Sequence, residues 1–187
     1  MENSIKISED IRLIRTKANK QQVASFLRLL KKNQSRIETY FPGYYIEPLS
    51  TASVTKMIEN KNNSQKNDMF SYAICSRSAQ KIIGEILINM HLIEACVCYW
   101  IDKDFENKGI MSAVFDTIRD KVFQTDTRIL CANCNEKNQK SISFLINKGL
   151  KQSTRYSHNG RTFIDLVQHK NDYVFNKKIQ QQERMIP

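Results

Sequence analysis

A glycine at the start of an apolar helical repeat is the first residue in this sequence that asks for a chemical reason. In CVCYWIDKDFENKGIMSAVFDTIRDKV, residues 96–122, Cys96 to Ile101 is short, apolar and aromatic, as a buried strand would be. Asp102 to Lys108 is a charged loop. Met111, Val114, Phe115, Ile118 and Val122 then recur at helical spacing and form one apolar face. Gly109 opens that helix, where it costs roughly 1 kcal/mol against alanine. The cost is repaid if a ligand must approach the backbone. The first turn of a helix offers unpaired N–H groups and a positive dipole end, which together favour phosphate. Spacing alone also describes any strand–loop–helix crossover.

The cysteines allow a second chemistry. Cys75, Cys96, Cys98, Cys131 and Cys134 all lie in strand-like segments. Cys131 and Cys134 have zinc-knuckle spacing, but residues three apart on a strand point to opposite faces. Reduced, buried thiols and no metal are expected. His91, His158 and His169 have no motif around them.

The chain has 187 residues, enough for one domain with its own core, and that domain is expected to span 1–187. Its core is expected over about 11–169, with 170–187 a polar tail. No apolar run approaches the length of a membrane span, and MENSIKISED has no apolar secretory core. A cytoplasmic protein away from membranes is expected. A net charge of +10 and a pI near 9.4 suit anionic surroundings such as nucleotides, RNA or ribosomes. Neither G-x-x-x-x-G-K-[ST] nor G-x-G-x-x-G occurs, which removes the P-loop and Rossmann readings. No zinc-finger, RNA-recognition or helix-turn-helix signature accompanies the dispersed basic residues.

The elements that must position these residues follow in order. A strand is expected at Ile11–Arg15 and a helix at Gln21–Lys32 with Val23, Phe26, Leu27 and Leu30 inward. An aromatic loop follows over Asn33–Tyr45. A second helix spans Thr51–Asn60, capped by Ser50 or Thr51, and Lys61–Asn67 reads as an exposed turn. Strands follow at Met69–Ser76, Lys81–His91, Cys96–Ile101 and Arg128–Asn133. Asn138 caps a helix over Gln139–Lys148, with Ile142, Leu145 and Ile146 inward and Gly149 as its stop. Leu150–His158 and Arg161–His169 form a hairpin around Asn159-Gly160. Asn171–Pro187 reads as a surface helix or frayed tail. This order is α+β, with a mixed, mostly antiparallel sheet of about seven strands and helices on both faces.

The order and two motifs resemble the GNAT superfamily of acetyl-CoA-dependent N-acetyltransferases, in its RimJ/RimL-type branch. YWIDKDFENKGIMSAVF is similar to that branch's strand end, acidic loop and helix start. NQKSISFLINKGL is similar to its N-x-x-S…K-x-G-F segment. The resemblance implies direct transfer of an acetyl group to a primary amine, on a protein N-terminus or a small molecule, with no metal. It implies backbone contacts to the cofactor pyrophosphate from Asn107, Lys108, Gly109, Ile110 and Met111, with Ser112 next. It places the pantetheine arm along Tyr99, Trp100 and Ile101, with Asn138 touching the same arm. Ser141 is the expected acid for the leaving sulfur. Glu94 is the expected base, with Glu85 second to it.

The chain departs from the family at Glu106, where Gln or Arg is usual, and at Asn107, a common glycine. Met111 stands where Gly or Ala is usual. Leu145 stands where a Tyr general acid often does. These departures keep open a catalytically weak scaffold that binds acyl-CoA, protein or RNA. A basic enzyme would suit an acceptor on an anionic body such as the ribosome.

Overall fold

A computed structural model describes residues 1–45, 48–63 and 68–183, excepting the side chains of 178–183. Eight strands form one sheet: β1 Ser4–Lys6, β2 Ile11–Arg15, β3 Met69–Ser76, β4 Lys81–His91, β5 Glu94–Ile101, β6 Ile129–Asn135, β7 Lys151–His158 and β8 Arg161–His169. Their order is β1-β2-β3-β4-β5-β6-β8-β7. The β1–β2, β2–β3, β3–β4, β6–β8 and β7–β8 pairs are antiparallel, and β5–β6 is parallel. Five helices accompany them among the described residues: α1 Lys20–Tyr40, α2 Thr51–Asn63, α3 Ile110–Phe123, α4 Gln139–Asn147 and α5 Lys170–Glu183. The mixed α+β class stands, with β1 as an eighth strand that three largely polar residues do not announce.

The chain forms two compact units. The first comprises Met1–Asn89 and Val97–Ile118. Its apolar core joins Val23, Phe26, Leu30 and Ile37 of α1 with Val54 and Ile58 of α2 and Trp100 of β5. Helix α1 runs eight residues past the expected Lys32, through most of the segment read as an aromatic loop. Ile37 continues the buried stripe, and no glycine or proline interrupts the helix before Pro42-Gly43. Asn33, polar at a buried position, donates its side-chain amide to the Leu29 carbonyl. The α2 start is capped as expected, with the Ser53 amide donating to Ser50 Oγ at 3.1 Å. Lys61 to Asn63 form its last turn rather than an exposed loop, while residues 64–67 of that expectation lie outside the described residues.

The second unit comprises Met90–Cys96 and Arg119–Pro187. Ala95, Leu130, Ile142, Leu145 and Leu166 are buried in it. Asn138 caps α4 by accepting from the Ser141 amide, and the helix ends just before Gly149, both as the sequence predicts. Ile146 was expected inward but is 44% exposed, because it lies off the stripe that Ile142 and Leu145 bury. The β7–β8 turn at Asn159-Gly160 has positive φ at both residues, the geometry for which that dipeptide is favoured. The tail forms α5, and residues 184–187 lie outside the described residues.

The expectation of uniformly reduced thiols fails at one pair. Cys96 and Cys131 are direct partners in the β5–β6 ladder, with Cα atoms 4.6 Å apart, and form a disulfide. Sequence periodicity cannot give the register between two parallel strands, so the pairing was invisible there. Cys75, Cys98 and Cys134 remain free. Burial pushes the Cys75 thiol up to about 11 and the Cys134 thiol up to about 12, so both stay protonated. Labelling denatured, unreduced protein with iodoacetamide is expected to modify Cys75, Cys98 and Cys134 alone, and all five cysteines after reduction. Peptide mass mapping reads the difference.

Candidate active site

The first unit builds the site from the end of β5. Trp100 and Ile101 are buried, and Asp102 follows with its amide bonded to the Ile83 carbonyl of β4 at 2.7 Å. Gly84 lets the two strands meet there: a Cβ at that position would overlap the Trp100 carbonyl oxygen and lie 2.9 Å from Ile101 Cα. A short 3-10 turn at Lys103–Phe105 then leads to two left-handed residues, Asn107 at φ 59° and Gly109 at φ 72°. Asparagine is one of the few side chains that tolerates this conformation, so Asn107 does the work of the glycine expected there. A Cβ on Gly109 would meet nothing within 4 Å. The glycine is therefore demanded by backbone conformation, and the space above it is open.

Asn107, Lys108 and Gly109 are exposed, and Ile110, Met111 and Ser112 half-buried, as α3 begins. Below that first turn, Val114, Phe115 and Ile118 anchor the helix, and Tyr99 meets Phe115 edge to face at 6.2 Å. The helix start thus presents a positive dipole end to solvent from a rigid base. Lys108 Nζ lies 5.0 Å from the Phe105 ring centroid and Lys81 Nζ 5.1 Å from it, so two cations flank the loop. The expected residues Tyr99–Ile101 and Asn107–Ser112 are parts of this one continuous segment.

Three carboxylates in the same loop oppose an anion, and α1 answers each of them. Lys32 donates to Asp102 at 2.8 Å and also to Asp104. Asp102 is 1% exposed and accepts a further bond from the Asn33 amide. The hydrogen bond from Lys32 holds Asp104 below the usual carboxylate range. Arg36 pairs with Glu106 at 2.5 Å and donates to the Ile101 carbonyl at 2.7 Å. The Ile101 carbonyl is therefore already engaged by α1.

A second polar cluster lies beneath Trp100. Its indole N–H donates to Tyr44 Oη at 2.8 Å, and the Tyr44 hydroxyl donates to Glu85. Glu85 is fully buried and also accepts from Lys61 at 2.9 Å and from Ser71 Oγ at 2.7 Å. Four donated bonds, two of them from one ammonium, suit a carboxylate. Burial pushes the Glu85 carboxyl up to about 8 and the Lys61 ammonium down to about 7. Each charge is tolerated because of the other. The sequence suggested Glu85 only as a secondary base and gave Lys61 no role. Tyr44 was visible as part of an aromatic segment, but its partners were not.

The remaining expected residues belong to the second unit. Glu94 is exposed at the first position of β5, opposite Ile129. Asn138 caps α4, so the Ser141 amide is satisfied from outside its own side chain. The Ser141 hydroxyl makes no hydrogen bond among the described residues, and the residue is half-buried. No group of three or more His, Cys, Asp or Glu able to hold a metal occurs among the described residues. No described helix is long and apolar enough to cross a membrane.

The sheet includes the parallel β5–β6 pair, and a left-handed glycine precedes the helix that follows β5. The sequence matches the acetyltransferase (GNAT) domain family over residues 12–151, and the chain belongs to that family. Its domain is therefore an acetyltransferase domain. Solved structures agree in fold. An acetyltransferase of Salmonella typhimurium that modifies the N-terminal serine of 50S ribosomal subunit protein L7/L12 superposes with a TM-score of 0.75 at 18% identity, over 89% of this chain and 98% of that one. The ribosomal-protein-S5-alanine acetyltransferase of Vibrio fischeri gives 0.77 at 15% identity, over 91% and 98%. The microcin C7 self-immunity acetyltransferase MccE, solved with acetyl-CoA and AMP, gives 0.74 at 16% identity, over 90% and 97%. No curated protein sequence matches significantly.

Replacing Lys61 by methionine is expected to destabilise the protein by about 3–5 kcal/mol near neutral pH, since Glu85 must then be buried without its counter-ion or take up a proton to stay buried. With a folded-state value raised from 4.5 to about 8, Glu85 alone would favour the fold below its unfolded value and lose that contribution as pH rises through about 8. The penalty in Lys61→Met should therefore be larger at pH 7.5 than at pH 5. Urea unfolding of both proteins at the two pH values measures it.

Proposed function

We propose that the chain transfers the acetyl group of acetyl-CoA directly to a primary amine, and that a protein N-terminus is the acceptor. The observation that carries the proposal is the open, left-handed approach to α3 at Asn107–Gly109, flanked by Lys81 and Lys108. The backbone amides of residues 107–112 hold the cofactor pyrophosphate, with Lys108 adding charge. Tyr99, Trp100 and Ile101 guide the pantetheine arm through their backbone, because the Trp100 side chain is committed to the core and to Tyr44. Asn138 is assigned to the same arm on the family resemblance.

Acetyl-CoA supplies an activated acetyl group as a thioester. The acceptor must reach it as a neutral amine. Glu94, exposed to water, takes the proton that the ammonium loses. A bond forms from the amine nitrogen to the acetyl carbon as the carbon–sulfur bond breaks. The Ser141 hydroxyl, which has no partner among the described residues, gives its proton to the departing sulfur and regains one from the acylated nitrogen, which sheds its extra proton as the amide forms. Glu85 is fully enclosed and paired with Lys61, so it serves the structure rather than the acceptor.

Two of the similar structures are named for acetylation of ribosomal-protein N-termini, which supports the acceptor class. That likeness and the net charge of +10 support the ribosome as partner and a cytoplasmic location. Acetyl-CoA with ribosomal-protein N-terminal peptides should yield N-terminally acetylated peptide by mass spectrometry. Ser141→Ala and Glu94→Gln should each lower kcat by about 10²–10⁴-fold. An unchanged rate in both would remove this assignment of roles, and transfer to none of a panel of peptides and small amines would favour the binding scaffold.

A further inference from the structure

Glu106 poses an electrostatic problem that the fold resolves in an unexpected place. It stands four residues before α3, immediately before the segment assigned to the cofactor phosphates. A bare carboxylate there would repel the ligand that the helix dipole and Lys108 attract. Its partner, Arg36, is 70 residues away in sequence and lies on α1. Side-chain exposures of 30% for Arg36 and 25% for Glu106 put the pair partly out of water, where screening is weaker than at a free surface. The second arm of the Arg36 guanidinium bonds the Ile101 carbonyl. One side chain therefore holds both the end of β5 and the loop that follows it.

We propose that Arg36 is a positioning residue for cofactor binding: it neutralises Glu106 and fixes the strand end against the phosphate loop, so that an acidic loop can accept a polyphosphate. This rests on the assignment of residues 107–112 to the cofactor phosphates. Arg36 acts through Glu106 and Ile101 and need not touch the cofactor. Lys32, one helical turn earlier on α1, treats Asp102 and Asp104 in the same way. With all three acids answered, Lys108 and the helix start set the sign of the field at the loop.

The pairing makes a rescue pattern that packing alone would not produce. The affinity of coenzyme A is measured by titration calorimetry for the wild-type chain, Arg36→Gln, Glu106→Gln and the double variant, at low and high salt. Arg36→Gln should weaken binding at least tenfold at low salt, with a smaller loss in high salt. Adding Glu106→Gln to it should restore affinity to within about threefold, because the exposed charge is gone. Glu106→Gln alone should bind at least as tightly as wild type. It keeps every cation, so it remains informative if Arg36→Gln fails to fold. A double variant as weak as Arg36→Gln, or a Glu106→Gln protein weaker than wild type, would overturn charge neutralisation. Arg36→Gln binding normally would overturn the role of Arg36 while leaving the cofactor site intact. A wild-type chain that does not bind coenzyme A would instead overturn the site assignment, and this inference with it.

Discussion

Three carboxylates within five residues, in the loop that leads into α3, set the constraint on which the first unit depends. Asp102, Asp104 and Glu106 form the approach to α3, and α1 meets them with Lys32, Asn33 and Arg36 from one face. The length of α1 follows from this. A helix ending at Lys32 would leave Arg36 without a rigid support and Glu106 without a partner. The apolar stripe through Leu30 and Ile37 and the polar row through Lys32 and Arg36 lie on adjacent flanks of the same helix. Core formation and loop neutralisation are thus achieved by a single element.

The Glu85–Lys61 pair applies the same logic in a drier setting. Buried ion pairs contribute little net stability against an apolar replacement, but losing one partner is costly. Here the pair links α2 to β4, and Tyr44 extends it to Trp100 on the strand that leads into the site. Such a network specifies one arrangement of α2, the Tyr44 segment and β5, because any other arrangement strands a charge.

Much of the fold was legible because its signals are local. Asn159-Gly160, the Asn138 cap and the apolar face of α3 each need only a few neighbouring residues, and each is found where the sequence places it. The extent of α1 was missed because polar Asn33, Gln34 and Ser35 mask a stripe that only Ile37 resumes. The pairs that matter most to the site span long separations: 24 residues for Lys61 and Glu85, and 70 for Arg36 and Glu106. Glu106 read in isolation argued against a phosphate loop, and its partner reverses that argument. The Cys96–Cys131 bond was hidden for the same reason, as it depends on strand register. For the loop before α3, Gly109 was the readable residue, since its left-handed backbone is a local demand.

The central claim is that the segment from Asn107 to Ser112 receives the phosphates of acetyl-CoA through its backbone amides. Amide hydrogen exchange, followed by NMR or mass spectrometry with and without acetyl-CoA, tests it directly. The account predicts new protection concentrated at residues 107–112, with little change across β1 and β2. Acetyl-CoA binding that leaves those amides exchanging as before, with protection appearing elsewhere, would contradict it.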